Sequence, residues 1–341
     1  MRVDGTNYRA QRLQSVGEGV NPSPTIFRCF MKLYFAPLEG LTDSIFRRAH
    51  AELFGGADRY YTPFLTPTQN HRFSGRERRE IQGNAGVAVV PQLLTNHAGH
   101  FLWAAEGLAE MGFDEVNLNL GCPSGTVTAK KKGAGQLGDL DALGRFFDEV
   151  LAAPPLPVSV KARIGLHDPA EFDAILALFC RYPLAELIVH PRVRDELYQG
   201  KPHVECFAAA LERCPFPVCY NGDLTSAADA ARFAGRFPQA QAVMIGRGAL
   251  ANPGIFREIR GQARATRDEL YEFHMRLYRD YRAAFSGERP VLCRMKEIWS
   301  YLRRMFPDSE RQWKAIRKAG KLRDYEAAVE EMFRLPLKTG A

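Results

Sequence analysis

The 341-residue sequence contains no apolar run approaching the roughly 20 residues of a membrane-spanning helix, and its N-terminus has no apolar core of the signal-peptide kind. A cytoplasmic protein without membrane attachment is the expectation. The seven cysteines (29, 122, 180, 206, 214, 219 and 293) include no Cys-x-x-Cys pair. The group Cys206, Cys214 and Cys219 has neither the spacing nor the histidines of a zinc site, so no metal is expected. An odd count without a framework points to a reducing compartment, and most of these thiols read as buried small hydrophobes. No Gly-x-Gly-x-x-Gly carries the later acidic residue of the dinucleotide-binding type.

What is present is an ordinary globular composition, 46% hydrophobic and 25% charged, long enough for one large core with room for a small second unit. Residues 1–30 are polar and rich in glycine and proline, and read as an N-terminal extension, disordered or non-native, outside the fold. From Leu33 onward, short apolar or β-branched runs recur, each closed by glycine, proline or a polar residue and followed by an amphipathic stretch. They are LYFAPL (33–38), RYYT (59–62), VAVVPQL (87–93), EVNLNL (115–120), VSVKARI (158–164), ELIVH (186–190), VCYNG (218–222) and AVMIGRG (242–248). Eight such units of about thirty residues predict a (β/α)8 TIM barrel over residues 31–256 rather than an open doubly wound sheet. Helix caps are expected at Thr42-Asp43, Asn96 and Thr225-Ser226.

Reactive groups of such a barrel gather at the C-terminal ends of its strands, and the unusual polar residues of this chain fall there. Gln92, Asn119, Cys122, Lys161, Arg163, His190, Arg192, Asn221, Asp223 and Arg247 ring one mouth. In NLNLGCPSGTVTAKKKGAGQ (117–136) a lone thiol sits in a Gly-Cys-Pro turn at the rim, where a packing cysteine would instead lie inside the strand. A nucleophile needs a base or a positive charge to form thiolate, whereas a proton donor needs only to stay protonated; both roles fit. Alternation in VSVKARI puts Lys161 with Ser159 and Arg163 on the interior or upper rim. There it is either a solvated strand-end lysine, a Schiff-base amine, or a cation facing an electron-rich ligand. YNGDL and MIGRGAL close the last two strands, where barrels cradle phosphates with backbone N–H groups, and Arg247 adds a cation. His190 opens HPRVRDELYQG, a loop with two arginines and a tyrosine.

Charge is segregated. Residues 257–341 hold 20 Lys+Arg against 13 Asp+Glu, an excess equal to the whole chain's +7, so the remainder is neutral with 26 of each. Lys314, Arg317, Lys318 and Lys321 form a helical basic stripe in this tail, while Ile298, Tyr301, Leu302 and Met305 share an apolar face. A basic helical unit at residues 257–341 favours a polyanionic partner, with RERR (76–79) and KKK (130–132) extending the surface to the mouth.

APLEGLTD (36–43), VNLNLGCPS (116–124), VSVKARIG (158–165), HPR with Tyr198, NGD (221–223) and VMIGRGAL (243–250), in this order and spacing, resemble the tRNA-dihydrouridine synthases. The resemblance implies an FMN-bound barrel followed by a tRNA-binding helical domain, acting as a monomer. It implies reduction of the C5–C6 double bond of a tRNA uridine, with hydride from the flavin to C6, a proton from Cys122 to C5, and NADPH as reductant. Its flavin contacts correspond to Pro37, Leu38, Glu39, Gln92, Lys161, His190, Asn221, Gly222, Asp223, Gly246 and Arg247. Asn119, Arg192 and Tyr198 correspond to substrate contacts, and the stripe Lys314, Arg317, Lys318 to the tRNA surface. Two departures stand out: Asn117 where an acid is common and Pro191 where glycine is common, the latter removing a backbone donor. An FMN barrel acting on a free small molecule, of the dihydroorotate-oxidising kind, would leave the basic tail idle. A non-catalytic RNA-binding barrel would not need the thiol, the lysine or the glycine turns.

Overall fold

A computed structural model of the chain describes residues 31–338; the expected N-terminal extension, 1–30, lies outside the described residues. Nine parallel strands form the sheet: β1 (Lys32–Phe35), β2 (Arg59–Tyr61), β3 (Val89–Val90), β4 (Gln92–Leu93), β5 (Val116–Leu120), β6 (Val158–Arg163), β7 (Leu187–His190), β8 (Val218–Tyr220) and β9 (Ala242–Ile245). β1 pairs with both β2 and β9, as a closed ring requires. At the apparent seam, β3 pairs with β2, β4 pairs with β5, and only Pro91 separates β3 from β4. A proline has no N–H to give a ladder, so one continuous run changes partners at that residue. Val90 O accepts from Thr62 N at 3.1 Å on one side and Pro91 O from Asn117 N at 2.9 Å on the other. Counting Val89–Leu93 as one strand recovers the eight runs read from sequence.

Period-2 alternation sorts side chains between two cores. Leu33 and Phe35, Val116, Leu118 and Leu120, and Val158, Val160 and Ala162 face the outer helices in the larger cluster. Tyr34, Tyr61, Val90, Ile188, Cys219 and Met244 fill the barrel interior. The remaining interior positions of β5 and β6 are therefore Asn117, Asn119, Ser159, Lys161 and Arg163. This polar interior avoids the cost of buried unpaired groups through a side-chain chain: Asn119 Nδ2 donates to Gln92 Oε1 (2.7 Å), Gln92 Nε2 to Asn117 Oδ1 (2.8 Å), and Asn117 Nδ2 to Ser159 Oγ (2.8 Å).

Two of the expected caps form: Asp43 accepts from Phe46 N, and Ser226 from Asp229 N. Asn96 does not cap. The helix Ala98–Glu110 starts after His97 with no side-chain cap bond, and Asn96 Nδ2 instead donates to Lys130 O, tying two loops together. The cysteines also differ from expectation, since of the described ones only Cys219 is buried; Cys293 is exposed and the others are half-buried.

Four longer helices complete the chain: Arg267–Ala284, Glu288–Leu302, Glu310–Lys318 and Leu322–Phe333. The expected boundary after residue 256 falls within the short helix Ile255–Ile259. The C-terminal helices share one continuous apolar core with the outer barrel layer. Phe273 packs edge-on against Phe46 (5.4 Å) and Phe54 (5.3 Å), and Tyr281 Oη donates to Asp43 Oδ1 (2.8 Å). Helix Glu288–Leu302 packs on Arg247–Ala251, the short helix that follows β9, so the C-terminal unit reaches the open end of the barrel. Among the described residues no helix is long and apolar enough to cross a membrane.

Candidate active site

The open end holds a cavity of about 430 Å³. Its wall includes Pro37, Leu38 and Glu39 after β1, Gln92 in β4, Asn119 and Cys122 from β5 and its turn, and Lys161 in β6. His190 and Tyr198 enter from β7 and its loop, Asn221, Gly222 and Asp223 follow β8, and Gly246 and Arg247 follow β9. Two groups of the expected site residues lie elsewhere. Arg192 stands behind the wall, its guanidinium fully buried and bonded to Asp223, Gln199 O (3.0 Å) and Gly200 O (2.7 Å). Lys314, Arg317 and Lys318 are exposed on the helix Glu310–Lys318 and do not line the cavity.

Cys122 is positioned by the buried amide chain. Asn119 Oδ1 accepts from Gly121 N (3.0 Å) and Cys122 N (2.9 Å), which fixes the turn that carries the thiol. The following loop closes behind it. Ala134 N donates to Cys122 O (3.1 Å), and Gly133 sits at φ +57° where a Cβ would come within 3.0 Å of Cys122 Cβ. Residues 133–138 do spell Gly-x-Gly-x-x-Gly, but they follow the lysine turn rather than a strand and form a single 3-10 stretch backing the cysteine. Burial pushes the thiol pKa up, against the Ser124 N–H and the more distant Arg163 and Lys161, so the sulfur keeps its proton near neutrality.

The cavity is rich in cations and short of free anions. Lys161 has no carboxylate within ion-pair distance among the described residues. Burial, and then Arg163, push its ammonium down to about 8. Arg163 is spent on three backbone carbonyls, Gly121 (3.0 Å), Val193 (2.8 Å) and Leu197 (2.6 Å), and so clamps the cysteine turn to the loop after β7. Of the two acids on the wall, Glu39 pairs with Arg76, and Asp223 lies between Arg192 and Arg247. Burial raises the Asp223 pKa, but the hydrogen bonds from Arg192 and the charge of Arg247 outweigh it and leave the carboxyl below its usual range. His190 is held neutral by burial and then by Lys161, Arg163, Arg192 and Arg247. Arg192 can only donate to His190 Nε2 (3.3 Å), so the imidazole proton resides on Nδ1. Tyr198 is a half-exposed plate between Arg247 (4.7 Å to the ring centre) and Arg163 (5.5 Å), tilted 27° from the His190 ring.

The glycines after β8 and β9 leave no room for a side chain. A Cβ on Gly222 would lie 2.5 Å from Tyr220 Oη, and one on Gly248 would lie 2.2 Å from Leu224 O. This end presents bare backbone beside the Arg247 guanidinium, while in the short helix Arg247–Ala251 the N–H groups of Ala249 (2.9 Å) and Leu250 (3.1 Å) donate to Gly246 O. Phe64, Met244 and Arg304 also line the cavity and were not singled out from sequence. Phe64 follows a β-strand of only three residues, and Arg304 arrives from the C-terminal unit, where it is one of many arginines with no local pattern to distinguish it.

A cup of this volume, with an uncompensated cation on its wall and bare glycine backbone beside Arg247 at one rim, fits an electron-rich planar cofactor. On a barrel of this kind it defines a flavin-dependent oxidoreductase. The family described as Dihydrouridine synthase (Dus) matches residues 34–336. The tRNA-dihydrouridine(16) synthase of Cupriavidus necator is 31% identical over 318 residues, covering 88% of this chain and 96% of its own length. That of Shigella flexneri is 29% identical over 319 residues, covering 88% and 98%. The tRNA-dihydrouridine synthase B of Pasteurella multocida is 28% identical over 227 residues, covering 66% and 68%. The chain belongs to the dihydrouridine synthase family.

Proposed function

We propose that this protein is an FMN- and NADPH-dependent tRNA-dihydrouridine(16) synthase, acting as a cytoplasmic monomer on the C5–C6 double bond of uridine 16. The reaction class and the tRNA substrate follow from the family. The position is supported by the relatives named for it, which align across the barrel and the C-terminal helices over 88% of this chain. The B-type relative named above aligns over 66%.

Pro37, Leu38, Glu39, Gln92, Lys161, His190, Asn221, Gly222, Asp223, Gly246 and Arg247 would hold FMN. The chemistry that FMN, recharged by NADPH, would supply when bound is a hydride for C6 of the uracil. The chain's own residues supply the rest. Lys161 would lend its uncompensated charge to the electron-rich ring of the bound cofactor. Cys122 holds a proton on Sγ and delivers it to C5, so that one hydride and one proton saturate the bond. The thiolate left behind is stabilised by Arg163 and Lys161, the cations whose charges already act on this sulfur. Asn119 keeps the thiol in place through the two N–H groups that it accepts from. The Nδ1–H of His190 is a neutral donor for a ligand oxygen, and Tyr198 offers a flat face at the mouth for a base taken out of its stack. Residues 31–256 carry the chemistry, and the basic unit 257–341, with Lys314, Arg317 and Lys318 exposed, holds the tRNA.

The observation that carries this reading is a thiol, Cys122, on the wall of the same cavity as Lys161, which has no carboxylate partner among the described residues. The test is Cys122→Ala, which should keep its flavin colour and tRNA affinity while losing uridine reduction by about 10²- to 10⁴-fold. Undiminished reduction removes the thiol from the mechanism. Dihydrouridine mapping in tRNA from cells with and without the protein checks the position.

A further inference from the structure

Three loops at the open end of the barrel carry an aromatic and basic cluster that the reaction does not use. Trp103, on the helix Ala98–Glu110, stacks against His71 with ring centres 5.1 Å apart and planes 5° from parallel, and rests on Phe73 at 4.9 Å. His97 and His100 stack on each other at 4.1 Å and 15°, and His71 meets His100 edge-on at 6.0 Å. His71 holds its place with φ at +47°, a conformation that is uncommon outside glycine and asparagine. Burial, then His97 and His71, and last Lys132 depress the charged form of His100, and Asn96 bonds the lysine turn at Lys130 O. Neither Lys130 nor Lys132 has a carboxylate partner within 4 Å among the described residues, while Lys131 reaches Asp139 at 3.6 Å.

Placement gives the cluster its meaning. His71 lies in the loop after β2, His97 and His100 follow β4, and the lysines follow β5, so all stand on the same end of the barrel as the cavity. The loop that carries Lys130–Lys132 turns directly into Gly133, which packs on Cys122. The C-terminal helices approach the mouth at β9 and β1, where Glu288–Leu302 packs on Arg247–Ala251 and Arg304 joins the wall. In a closed ring of eight runs, β5 lies opposite β9, β4 lies two positions round from β1, and β2 lies next to β1.

The geometry points to a second RNA grip, formed by His71, His97, His100 and Trp103 with Lys130 and Lys132, which holds the unpaired loop nucleotides flanking the reduced uridine along the β2, β4 and β5 edge of the mouth, separate from the basic C-terminal stripe. It rests on the tRNA reading above and adds the surface by which the substrate is presented. Stacked rings interleaved with free ammonium groups match a single-stranded polynucleotide, whose bases stack and whose phosphates pair. Four aromatic rings held parallel or edge-on at the surface offer those faces without further ordering.

The test uses the flavin-loaded protein and unmodified tRNA transcript, with two variants, His97→Gln/His100→Gln and Lys130→Ala/Lys132→Ala. Both should keep wild-type flavin content and thermal unfolding, bind tRNA about five- to fiftyfold more weakly, and raise KM with kcat little changed. The lysine pair should also flatten the slope of log affinity against log salt by about 1 to 2, and the histidine pair should leave it in place. If the wild type makes dihydrouridine and both variants bind tRNA as tightly as it does, the second grip is overturned while the enzyme stands. If the wild type makes no dihydrouridine, the tRNA reading fails and takes the grip with it.

Discussion

Lys161 carries a charge that the apoprotein does not want, and the consequence is measurable without turnover. Its pKa falls from the ordinary 10.5 to about 8 on folding, through burial and then Arg163. At pH 7 the side chain is protonated in both states, so folding bears the whole shift, about 3 kcal/mol at 1.36 kcal/mol per pH unit. Part of the side chain is exposed, and that surface belongs to the cavity, which water enters; the observable effect is accordingly on the order of 1–3 kcal/mol. Between pH 8 and 10.5 the unfolded lysine keeps its proton while the folded one has lost it. Stability therefore rises with pH across that window and the penalty disappears above it. Lys161→Met replaces the ammonium with a side chain of similar length and no charge. Stripped of flavin, the variant should be about 1–3 kcal/mol more stable than wild type at pH 7 and should lose that component of the alkaline rise, while binding flavin far more weakly. Urea unfolding of both apoproteins at pH 7 and pH 10, with flavin titration of each, makes the comparison. A variant that is less stable than wild type at pH 7, or that climbs as steeply toward pH 10, refutes the claim that an uncompensated cation lines the cavity.

At the opposite end of the barrel, burial and then Glu115 raise the Glu186 carboxyl to about 7. The folded protein holds this proton through a range in which the unfolded chain has released it, so stability is lost as pH rises from 4.5 to 7. Glu186→Gln should match wild type near pH 5 and exceed it by about 1–3 kcal/mol at pH 8, by urea unfolding; a variant less stable at pH 8 would contradict the assignment. Charge reversal at Lys314, Arg317 and Lys318 should weaken tRNA binding at least tenfold and flatten its salt dependence by about 3 in log–log slope. Filter binding at two or more salt concentrations decides, and equal slopes would free that stripe from any role in holding RNA.

The parts of the fold legible in the sequence are those that obey a short-range rule. All eight runs became strands, because alternation and glycine or proline boundaries act within a few residues. The ring of polar strand-end residues was legible for the same reason, since a barrel sends consecutive strand ends to one mouth. What failed depended on partners distant in sequence. Asn96 reads as a cap by composition, yet Lys130 O, 34 residues on, claims its side chain. Arg192 reads as a mouth residue, but a conformation in its own loop brings Gln199 O and Gly200 O against it, and Asp223 from the next strand completes the burial. Arg304 reads as one basic residue among many until the C-terminal helices dock on the short helix after β9 and bring it to the cavity. The stack of Trp103, His71, His97 and His100 joins residues from two loops, and no spacing rule connects them.

Polarity inside this barrel runs from end to end, so polarity alone does not mark the site; compensation does. At the closed end Arg59 pairs with Glu115, and Glu186, raised to about 7 by burial and then Glu115, accepts from Tyr34 Oη at 3.1 Å, so two carboxyl groups face one arginine. The leftover atoms there, Tyr61 Oη, Glu115 Oε1 and Glu186 Oε2, are buried without a hydrogen-bond partner. At the open end the balance reverses. Asp223 and Glu39 are both taken by arginines, and Lys161 and Arg304 remain without an acid, facing a cavity large enough to admit one. Residues 31–256 hold 22 Lys+Arg against 24 Asp+Glu, yet the cavity end keeps two cations without an acid among the described residues, and the lysine turn after Cys122 lies beside it. On the proposed reading, FMN and tRNA share this opening with the Cys122 thiol, and the cost of carrying the unpaired lysine is recovered when an anion binds beside it.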